Sequence, residues 1–240
     1  HVPSGCGPGS WPFASGTFLA ADWLPTSMPL RPDASLAAEF SGLEALAFKV
    51  RGIRVEAASD VMAAHIDEQC LRYRRTYALE TVKDEPRLRA YRDFFWRVGV
   101  DPTKTRPAAE ALLRRVLQGK PLPRINTFVD AYNLASMETR IALAAFDVTR
   151  LRGQVRMRRA RPGETFHGIG MDAPAAMTGA EVVCEDDERL VAIYPHRDAE
   201  ASKVTLDTRE VLCLVCGVPG IPEAALREAS DVTARIVTRF

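Results

Sequence analysis

The chain has 240 residues, of which 47% are hydrophobic and 26% are charged, and its formal net charge is +1. This length can bury a sizeable core in one or two domains, and the near-neutral charge excludes a global attraction to nucleic acid or membrane. Any such affinity has to come from a local patch. No apolar stretch approaches the roughly 20 residues that span a bilayer, so the sequence predicts no membrane partner.

The first part of the chain is rich in glycine, proline and serine, with scattered aromatic residues. This composition predicts an irregular N-terminal arm over residues 1–37, followed by a single domain over residues 38–240. The β-branched, partly alternating segment 45–55 predicts a strand at the beginning of that domain.

Four helices are predicted next, from their start and stop signals and from apolar residues spaced three and four apart. They begin near Ser59, near Pro86, at Pro107 and at Thr127, with Asn126 as the N-cap of the last. Gly99 and Gly119 end the second and the third.

The period of the apolar residues changes to two after residue 137. It predicts strands over residues 141–146, 154–160, 181–184, 190–194 and 211–216. Pro222 then opens a last amphipathic helix with Leu226, Ala229, Val232 and Ile236 on its inward face. Because helices come first and strands cluster later, the predicted class is mixed α/β (α+β) rather than a regular doubly wound fold.

The cysteines are Cys6, Cys70, Cys184, Cys213 and Cys216. An odd, sparse set favours a reducing, cytoplasmic setting over a disulfide framework. Cys213 and Cys216 have C-x-x-C spacing, but a zinc site needs four ligands and no second pair is present. We therefore expect buried core cysteines, no metal site and no cofactor.

Asn126, Asp130 and Asn133 recur at spacings of four and three, which places them on roughly one face of a short helix. Such side chains offer both hydrogen-bond donors and acceptors, and they can bind the hydroxyls or the amine of a ligand. The alternative is a helix cap and buried amides that neighbouring loops satisfy.

Six arginines lie within residues 150–161, which contain no acidic residue. If residues 154–160 form a strand, Arg152, Arg156 and Arg158 share one face of it. A row of guanidinium groups suits phosphates, and hence tRNA. The alternative is a solvated face that pairs with the acidic run 185–188.

Three further loop positions are candidates. Glu164 follows a predicted turn and can act as a base or as a structural turn residue, and His167 has no Cys or Asp at triad spacing. His196, Arg197 and Asp198 follow a predicted strand, where ligand contacts are common. Arg197 and Asp198 can equally form a surface ion pair.

From Arg106 onward, the order of short motifs is one that a known module shares. The motifs are Arg106-Pro107, Asn126, Val129-Asp130, Asn133, Ala145-Phe146-Asp147, Pro162-Gly163-Glu164, Ser202-Lys203-Val204-Thr205 and Asp207-Thr208. This order resembles the B3/B4 tRNA-binding and editing module of the bacterial phenylalanyl-tRNA synthetase beta subunit, and the free-standing proteins built on that module. The resemblance covers roughly residues 38–240.

The resemblance implies a three-layer α/β module with a β-sandwich-like core. In the synthetase, that module hydrolyses tyrosine wrongly attached to the phenylalanine tRNA by holding the ester and positioning water, without a covalent nucleophile or a metal. The residues that would line such a pocket here are Asn126, Asp130, Asn133, Glu164, His196, Arg197, Asp198, Thr205 and Thr208. Arg152, Arg156 and Arg158 would contact the tRNA phosphates.

Two departures from the family pattern fall at positions linked to that pocket. Ala144 stands where the family commonly has histidine, and Lys203 stands where many synthetases have glutamate. The leading hypothesis is an editing-like domain that binds aminoacyl-tRNA and hydrolyses a mischarged one in trans. The alternatives are a tRNA- or RNA-binding module without catalysis, and a pocket for an amino acid or another small metabolite.

Overall fold

The computed structural model describes residues 27–240. Its helices are α1 (Ala34–Glu39), α2 (Asp60–Thr76), α3 (Pro86–Arg97), α4 (Ala108–Leu117), α5 (Thr127–Thr139) and α6 (Glu223–Val237). Its strands are β1 (Met28–Leu30), β2 (Ala45–Arg51), β3 (Ala142–Asp147), β4 (Arg156–Arg159), β5 (Thr165–Phe166), β6 (Ala175–Ala176), β7 (Val182–Glu185), β8 (Leu190–Ile193), β9 (Arg197–Asp198) and β10 (Glu210–Cys216). Short 3₁₀ turns lie at Val82–Asp84, Val148–Arg150 and Glu200–Ser202.

The strands form two four-stranded antiparallel sheets and one short hairpin. The first sheet has the order β1-β2-β10-β3, the second has the order β4-β7-β8-β9, and β5 pairs with β6. Strand β10 occupies the middle of the first sheet, because it pairs with β2 along its whole length and with β3 from Val211 to Cys216. The predicted mixed α/β class is confirmed.

The predicted helices and strands with a clear apolar period are confirmed, to within a few residues at their ends. Local capping explains where two of the helices begin. The Ser59 hydroxyl accepts a hydrogen bond from the Met62 amide at 3.3 Å, and the Asn126 carboxamide accepts one from the Val129 amide at 2.9 Å. Each cap satisfies an amide that the first turn leaves without a helical partner.

Most of the N-terminal arm predicted over residues 1–37 lies outside the described residues, which begin at residue 27. The described part of the predicted arm, residues 27–37, contains β1 and the start of α1. Strand β1 pairs with β2, and the Asp33 carboxylate accepts a hydrogen bond from the Leu36 amide at the start of α1. A three-residue edge strand is stabilised by its partner strand and is too short to show an apolar period in the sequence. The start of the domain at residue 38 stays a prediction.

Sheets and helices share one main hydrophobic core. Helices α5 and α6 pack against each other and against the first sheet, while α2 and α4 pack on α5. The second sheet reaches the same core through one face: Val182 and Cys184 of β7 belong to it, whereas Val183 belongs to a smaller cluster beside the β5–β6 hairpin. This alternation is the period of two expected of a strand buried on both faces. None of the helices between residues 27 and 240 combines the length and apolarity that a membrane crossing requires.

Two buried tyrosines hydrogen-bond to the chain at the C-terminal end of β10. The Tyr91 hydroxyl donates to the Cys216 carbonyl at 2.5 Å and accepts from the Ala142 amide at 3.0 Å. The Tyr194 hydroxyl donates to the Gly217 carbonyl at 2.6 Å. Tyr91 therefore joins α3 to two neighbouring strands of the first sheet.

We expect Tyr91→Phe to lower the free energy of unfolding by about 1–3 kcal/mol, because the Ala142 amide and the Cys216 carbonyl both lose a buried partner. Urea unfolding followed by circular dichroism measures this change. Tyr77→Phe is the matched control, since the half-buried Tyr77 hydroxyl makes no hydrogen bond within residues 27–240. Equal unfolding midpoints for the two variants would contradict the assignment.

Candidate functional site

The N-terminus of α5 holds two of the predicted pocket residues in capping roles. Asn126 caps the helix, and one Asp130 carboxylate oxygen accepts a hydrogen bond from the Ile125 amide at 3.0 Å. Both side chains are buried, and burial raises the pKa of Asp130. The capping alternative therefore describes Asn126 and Asp130, and they fix the direction in which α5 enters the site.

The next positions on α5 leave polar groups without a protein partner. Asn133 is half-buried, and its carboxamide makes no hydrogen bond within the described part of the chain. The half-buried Tyr132 hydroxyl also makes none there, and its pKa is raised by burial and then by the nearby carboxylates of Asp198 and Asp130. These two side chains can hydrogen-bond to a ligand without breaking a cap.

Asp198 lies where the two large sheets meet. It is in β9, at the edge of the second sheet, and its carboxylate accepts a hydrogen bond from the Ala145 amide of β3 at 3.2 Å. Desolvation raises the pKa of Asp198 to about 7, although the Ala145 hydrogen bond acts in the opposite direction. The carboxyl group therefore changes its protonation state near neutral pH.

The surroundings of Asp198 are weakly polar. The neighbouring thiols of Cys184 and Cys213 are buried, and burial, followed by the charge of Asp198, raises both pKa values well above their usual range. They are neutral at physiological pH and belong to the core. Among residues 27–240, no group of three or more His, Cys, Asp and Glu side chains is placed to hold a metal ion.

The predicted loop at residues 196–198 is instead a tight turn and a strand. A cis Tyr194–Pro195 peptide bond lies between β8 and β9, and the His196 amide donates to the Ile193 carbonyl at 2.7 Å. A loop was the wrong expectation for Arg197 and Asp198, because a two-residue strand is defined by its partner β8 and not by a local pattern.

Arg197 and Asp198 do not form the surface ion pair that was the alternative. Neighbouring residues of a strand point to opposite faces, and the Arg197 guanidinium donates to the Ile169 carbonyl at 2.8 Å. Gly168 lies so close to the Arg197 stem that a Cβ there would collide with it. Burial lowers the pKa of His196 to about 4, and the buried ring nitrogen Nδ1 has no partner within the described residues.

A second polar group lies at the end of β3. The Thr208 hydroxyl donates to the Asp147 carboxylate at 2.7 Å and accepts from the Thr205 amide at 2.9 Å. Burial acts to raise the pKa of Asp147, but hydrogen bonds from Thr149 and Thr208 outweigh it and lower that pKa. Asp147 and Thr208 thus fasten the segment 202–208 to the first sheet.

That segment contains unused hydrogen-bonding capacity. The hydroxyl oxygens of Ser202 and Thr205 are buried, and neither has a partner among residues 27–240. Buried polar atoms are nearly always satisfied, so these two hydroxyl groups remain available for a hydrogen bond. Lys203 forms an ion pair with Glu200, and Ala144 is buried in β3 beside Ala145.

The arginine row, Arg152, Arg156 and Arg158, lies next to the acidic run that was its alternative partner. Arg156 pairs with Asp187 at 2.8 Å, and Arg152 lies 3.9 Å from Glu188. Both are half-exposed. Arg156 and Arg158 lie at alternate positions of β4, which pairs with β7 in antiparallel register, whereas Arg152 precedes β4 and the shared strand face predicted for it was wrong.

Arg158 is the most enclosed member of the row, with 11% of its side chain exposed. It donates to both oxygens of Glu164, at 2.9 and 2.6 Å, and to Glu185 at 2.5 Å. The Arg158 hydrogen bonds lower the pKa of Glu164 to about 2, so that this carboxylate is ionised at neutral pH and already bound to Arg158. Glu164 is thereby tied to the arginine row, and within residues 27–240 it makes no hydrogen bond to Asp198.

His167, Cys213 and Cys216 need no catalytic role. His167 is exposed, and its Nε2 lies 2.9 Å from the Met171 carbonyl oxygen. Cys213 and Cys216 are free, buried thiols in the central strand β10. Their positions fit the expected core role.

The structure thus places Asp198 close enough to Tyr132 for its charge to raise the Tyr132 pKa, and Asn133 follows Tyr132 on α5. A carboxyl group whose pKa lies near neutral pH, close to an unbonded hydroxyl, can orient a small polar group and accept a proton from water. Sequence reasoning missed Tyr132, since its apolar neighbours gave it the pattern of a core residue. Only its position beside Asn133 pointed to it.

Comparison with known proteins finds one domain family and several similar relatives. The family model described as "B3/4 domain" matches residues 90–235. Phenylalanine–tRNA ligase beta subunits from two strains of Xanthomonas campestris pv. campestris are each 29% identical over 218 residues. That alignment covers 82% of this chain and 25% of each ligase subunit, so the chain spans about a quarter of their length.

A solved structure also matches. It is an N-terminal fragment of the phenylalanyl-tRNA synthetase beta subunit from Pyrococcus horikoshii, with 14% identity and a TM-score of 0.35. The match covers 44% of this chain and 39% of that one.

The raised pKa of Asp198 predicts a pH dependence of stability. Its ordinary value is 3.8 and its value in the folded protein is about 7, so folding takes up a proton between these two pH values. The contribution of Asp198 is therefore fully present below pH 3.8 and is lost as the pH rises toward 7, by up to about 1.4 kcal/mol per pH unit.

Asp198→Asn removes this titration. From pH 4 to pH 7, the free energy of unfolding of the wild type should therefore fall relative to that of the variant. Urea unfolding of both proteins at several pH values measures the difference. Asp207→Asn, at an exposed position, is the control and should follow the wild type. A constant difference across this range would refute the raised pKa.

Proposed function

Since residues 90–235 match its model, the chain belongs to the B3/4 domain family, and we propose that it binds aminoacyl-tRNA and hydrolyses the ester of a mischarged one in trans. The relatives named as phenylalanine–tRNA ligase beta subunits support the connection to tRNA. Because the chain spans a quarter of their length, no other activity of the ligase is carried over.

One observation carries the hydrolytic part of the proposal: the half-buried Asp198 carboxyl, with a pKa of about 7, lies beside the Tyr132 hydroxyl. An effective general base has a pKa near the working pH, because it then accepts a proton without being already protonated. In the proposed reaction, Asp198 takes a proton from a water molecule whose oxygen attacks the ester carbonyl carbon. The bond from that carbon to the ribose oxygen breaks, and the proton passes to the ribose oxygen.

The other residues position the ester. The carboxamide of Asn133 and the hydroxyl of Tyr132 are available for the amino group and the carbonyl oxygen, since neither is engaged within the described chain. Asn126 and Asp130 fix the start of α5, and Thr208 holds the segment that carries the unbonded hydroxyls of Ser202 and Thr205. His196, with a pKa of about 4, is neutral and supports the turn that leads to Asp198.

A second function, tRNA binding without catalysis, is favoured by Ala144 and Lys203. A methyl group at position 144 can neither donate nor accept a proton, and the Lys203 ammonium is paired with Glu200. Loss of one positioned polar group costs on the order of a hundredfold in rate or discrimination. The two functions share the pocket and differ only in turnover.

We expect Asp198→Asn to slow deacylation of a mischarged tRNA by about a hundredfold or more, because an amide cannot accept the proton from water. The measurement is the release of radiolabelled amino acid from a panel of mischarged tRNAs. Asp207→Asn makes the same chemical change at an exposed site and should hydrolyse at the wild-type rate.

The panel also separates the two functions. If every mischarged tRNA decays at the buffer rate while the wild-type chain binds aminoacyl-tRNA more tightly than uncharged tRNA, the catalytic proposal fails and the binding function stands. If the chain binds neither form, both fail.

A further inference from the structure

A cleft of about 310 Å³ lies away from the Asp198 site, between α2 and the segment that joins α4 to α5. It is lined by Asp67, Cys70, Leu71, Arg74, Gly119, Lys120, Pro121, Leu122 and Arg124. We call it the basic cleft. The residues from α2 recur at spacings of three and four, so they form one helical face that looks into the cleft.

The far wall of the cleft is held in a fixed conformation. The Gly119 amide donates to the Val116 carbonyl at 2.9 Å and the Lys120 amide to the Arg115 carbonyl at 3.0 Å, which is a Schellman motif at the end of α4. Gly119 has a φ of 76°, where other residues are strained. Buried Leu122 then anchors the segment, so Lys120 projects from a rigid turn.

Two of the three lining cations of the cleft, Arg74 and Lys120, have no carboxylate partner among residues 27–240. Arg74 donates to the Val116 carbonyl at 2.9 Å, and Arg115, just behind the wall, donates to the Pro121 carbonyl. Such bonds orient a guanidinium and leave its charge intact. Arg74, Arg115 and Lys120 have no carboxylate partner among the described residues, and the one acidic lining residue, Asp67, is paired with Arg124 at 3.2 Å.

The arginine row differs in this respect. Each of its three members has a carboxylate within ion-pair distance, and Arg158 has two. A phosphate would have to displace a carboxylate from each guanidinium there. In the basic cleft, a phosphate can bind Arg74 and Lys120 without displacing a carboxylate from either, which is the more favourable exchange.

The cleft leads toward the Asp198 site. Arg124 and Ile125 directly precede the N-cap of α5, and the Ile125 amide donates to the Asp130 carboxylate. The Arg124 charge contributes to the pKa of Asp130, and the charges of both Asp130 and Asp198 contribute to that of Tyr132. One wall of the cleft is therefore continuous in sequence with the N-terminus of α5, the helix that carries Tyr132.

We propose that the basic cleft binds the phosphate backbone of the RNA whose 3′ end enters the Asp198 site, an assignment that rests on the proposed function. Neighbouring exposed cations suit successive phosphates, and exposed Leu71 and Ile125 (52% and 56% exposed) can contact ribose and base faces beside them. Four of the nine lining residues lie on α2, outside the segment that the family model matches.

The test compares two double variants that each remove two positive charges, Arg74→Gln/Lys120→Gln in the cleft and Arg152→Gln/Arg156→Gln in the arginine row. The dissociation constant for unfractionated tRNA is measured by fluorescence anisotropy as a function of salt concentration. We expect the cleft variant to bind about tenfold more weakly, with a logarithmic salt slope smaller by about 2, and the row variant to bind like the wild type.

Two further measurements keep the outcomes interpretable. Lys120→Glu reverses one exposed charge whose side chain has no hydrogen bond within residues 27–240, and it should weaken binding although it leaves the fold intact. Hydrolysis of a 3′-aminoacyl adenosine, which lacks the tRNA backbone, should be the same in the cleft variant and the wild type.

Failure of this inference is distinct from failure of the proposed function. Unchanged tRNA affinity in the cleft variants, with wild-type tRNA binding present, overturns the cleft assignment alone. Cleft-dependent tRNA binding with no hydrolysis and no preference for the aminoacylated form supports the cleft and overturns the proposed function. Absence of tRNA binding by the wild-type chain overturns both.

Discussion

The free edge of β3 is the constraint on which the site depends. This strand ends the first sheet, so one side of its backbone has no neighbouring strand to bond with. At Ala145 the missing partner is the carboxylate of Asp198, which arrives from the edge of the second sheet. The Asp198 side chain thus accepts the hydrogen bond that a neighbouring strand would accept, and it joins the edges of the two sheets.

This arrangement explains why the pKa of Asp198 is raised. A carboxyl that satisfies an edge amide between two sheets is removed from water, and its single amide donor is too little to compensate for the lost hydration of the charge. Glu164 is the opposite case, because Arg158 donates to both of its oxygens and keeps its pKa near 2. The local supply of donors, rather than the type of residue, therefore decides which carboxylate is able to take up a proton near neutral pH.

The parts of this picture that could be predicted from sequence are those with a local physical cause. The caps at Ser59 and Asn126 and the long amphipathic segments follow from short-range rules, and their helices were predicted near their observed bounds. The short strands β1, β5, β6 and β9 were not predicted as strands, because two or three residues adopt a strand only when a distant partner supplies the ladder. Asp198 was named as a candidate, but its bond to Ala145 spans 53 positions and leaves no trace in its neighbours.

The replacement of the expected histidine by Ala144 can be understood in the same terms. Among the predicted pocket residues, Glu164 has a pKa of about 2, His196 a pKa of about 4 and Asp198 a pKa of about 7. At neutral pH the first is ionised and bound to arginine, and the second is a neutral ring packed 6.1 Å from that of Phe95. Of these three groups, only Asp198 titrates near neutral pH. An ester hydrolase built on this chain would therefore draw its proton acceptor from β9, the strand that contacts β3 next to Ala144, and would need no imidazole on β3 itself.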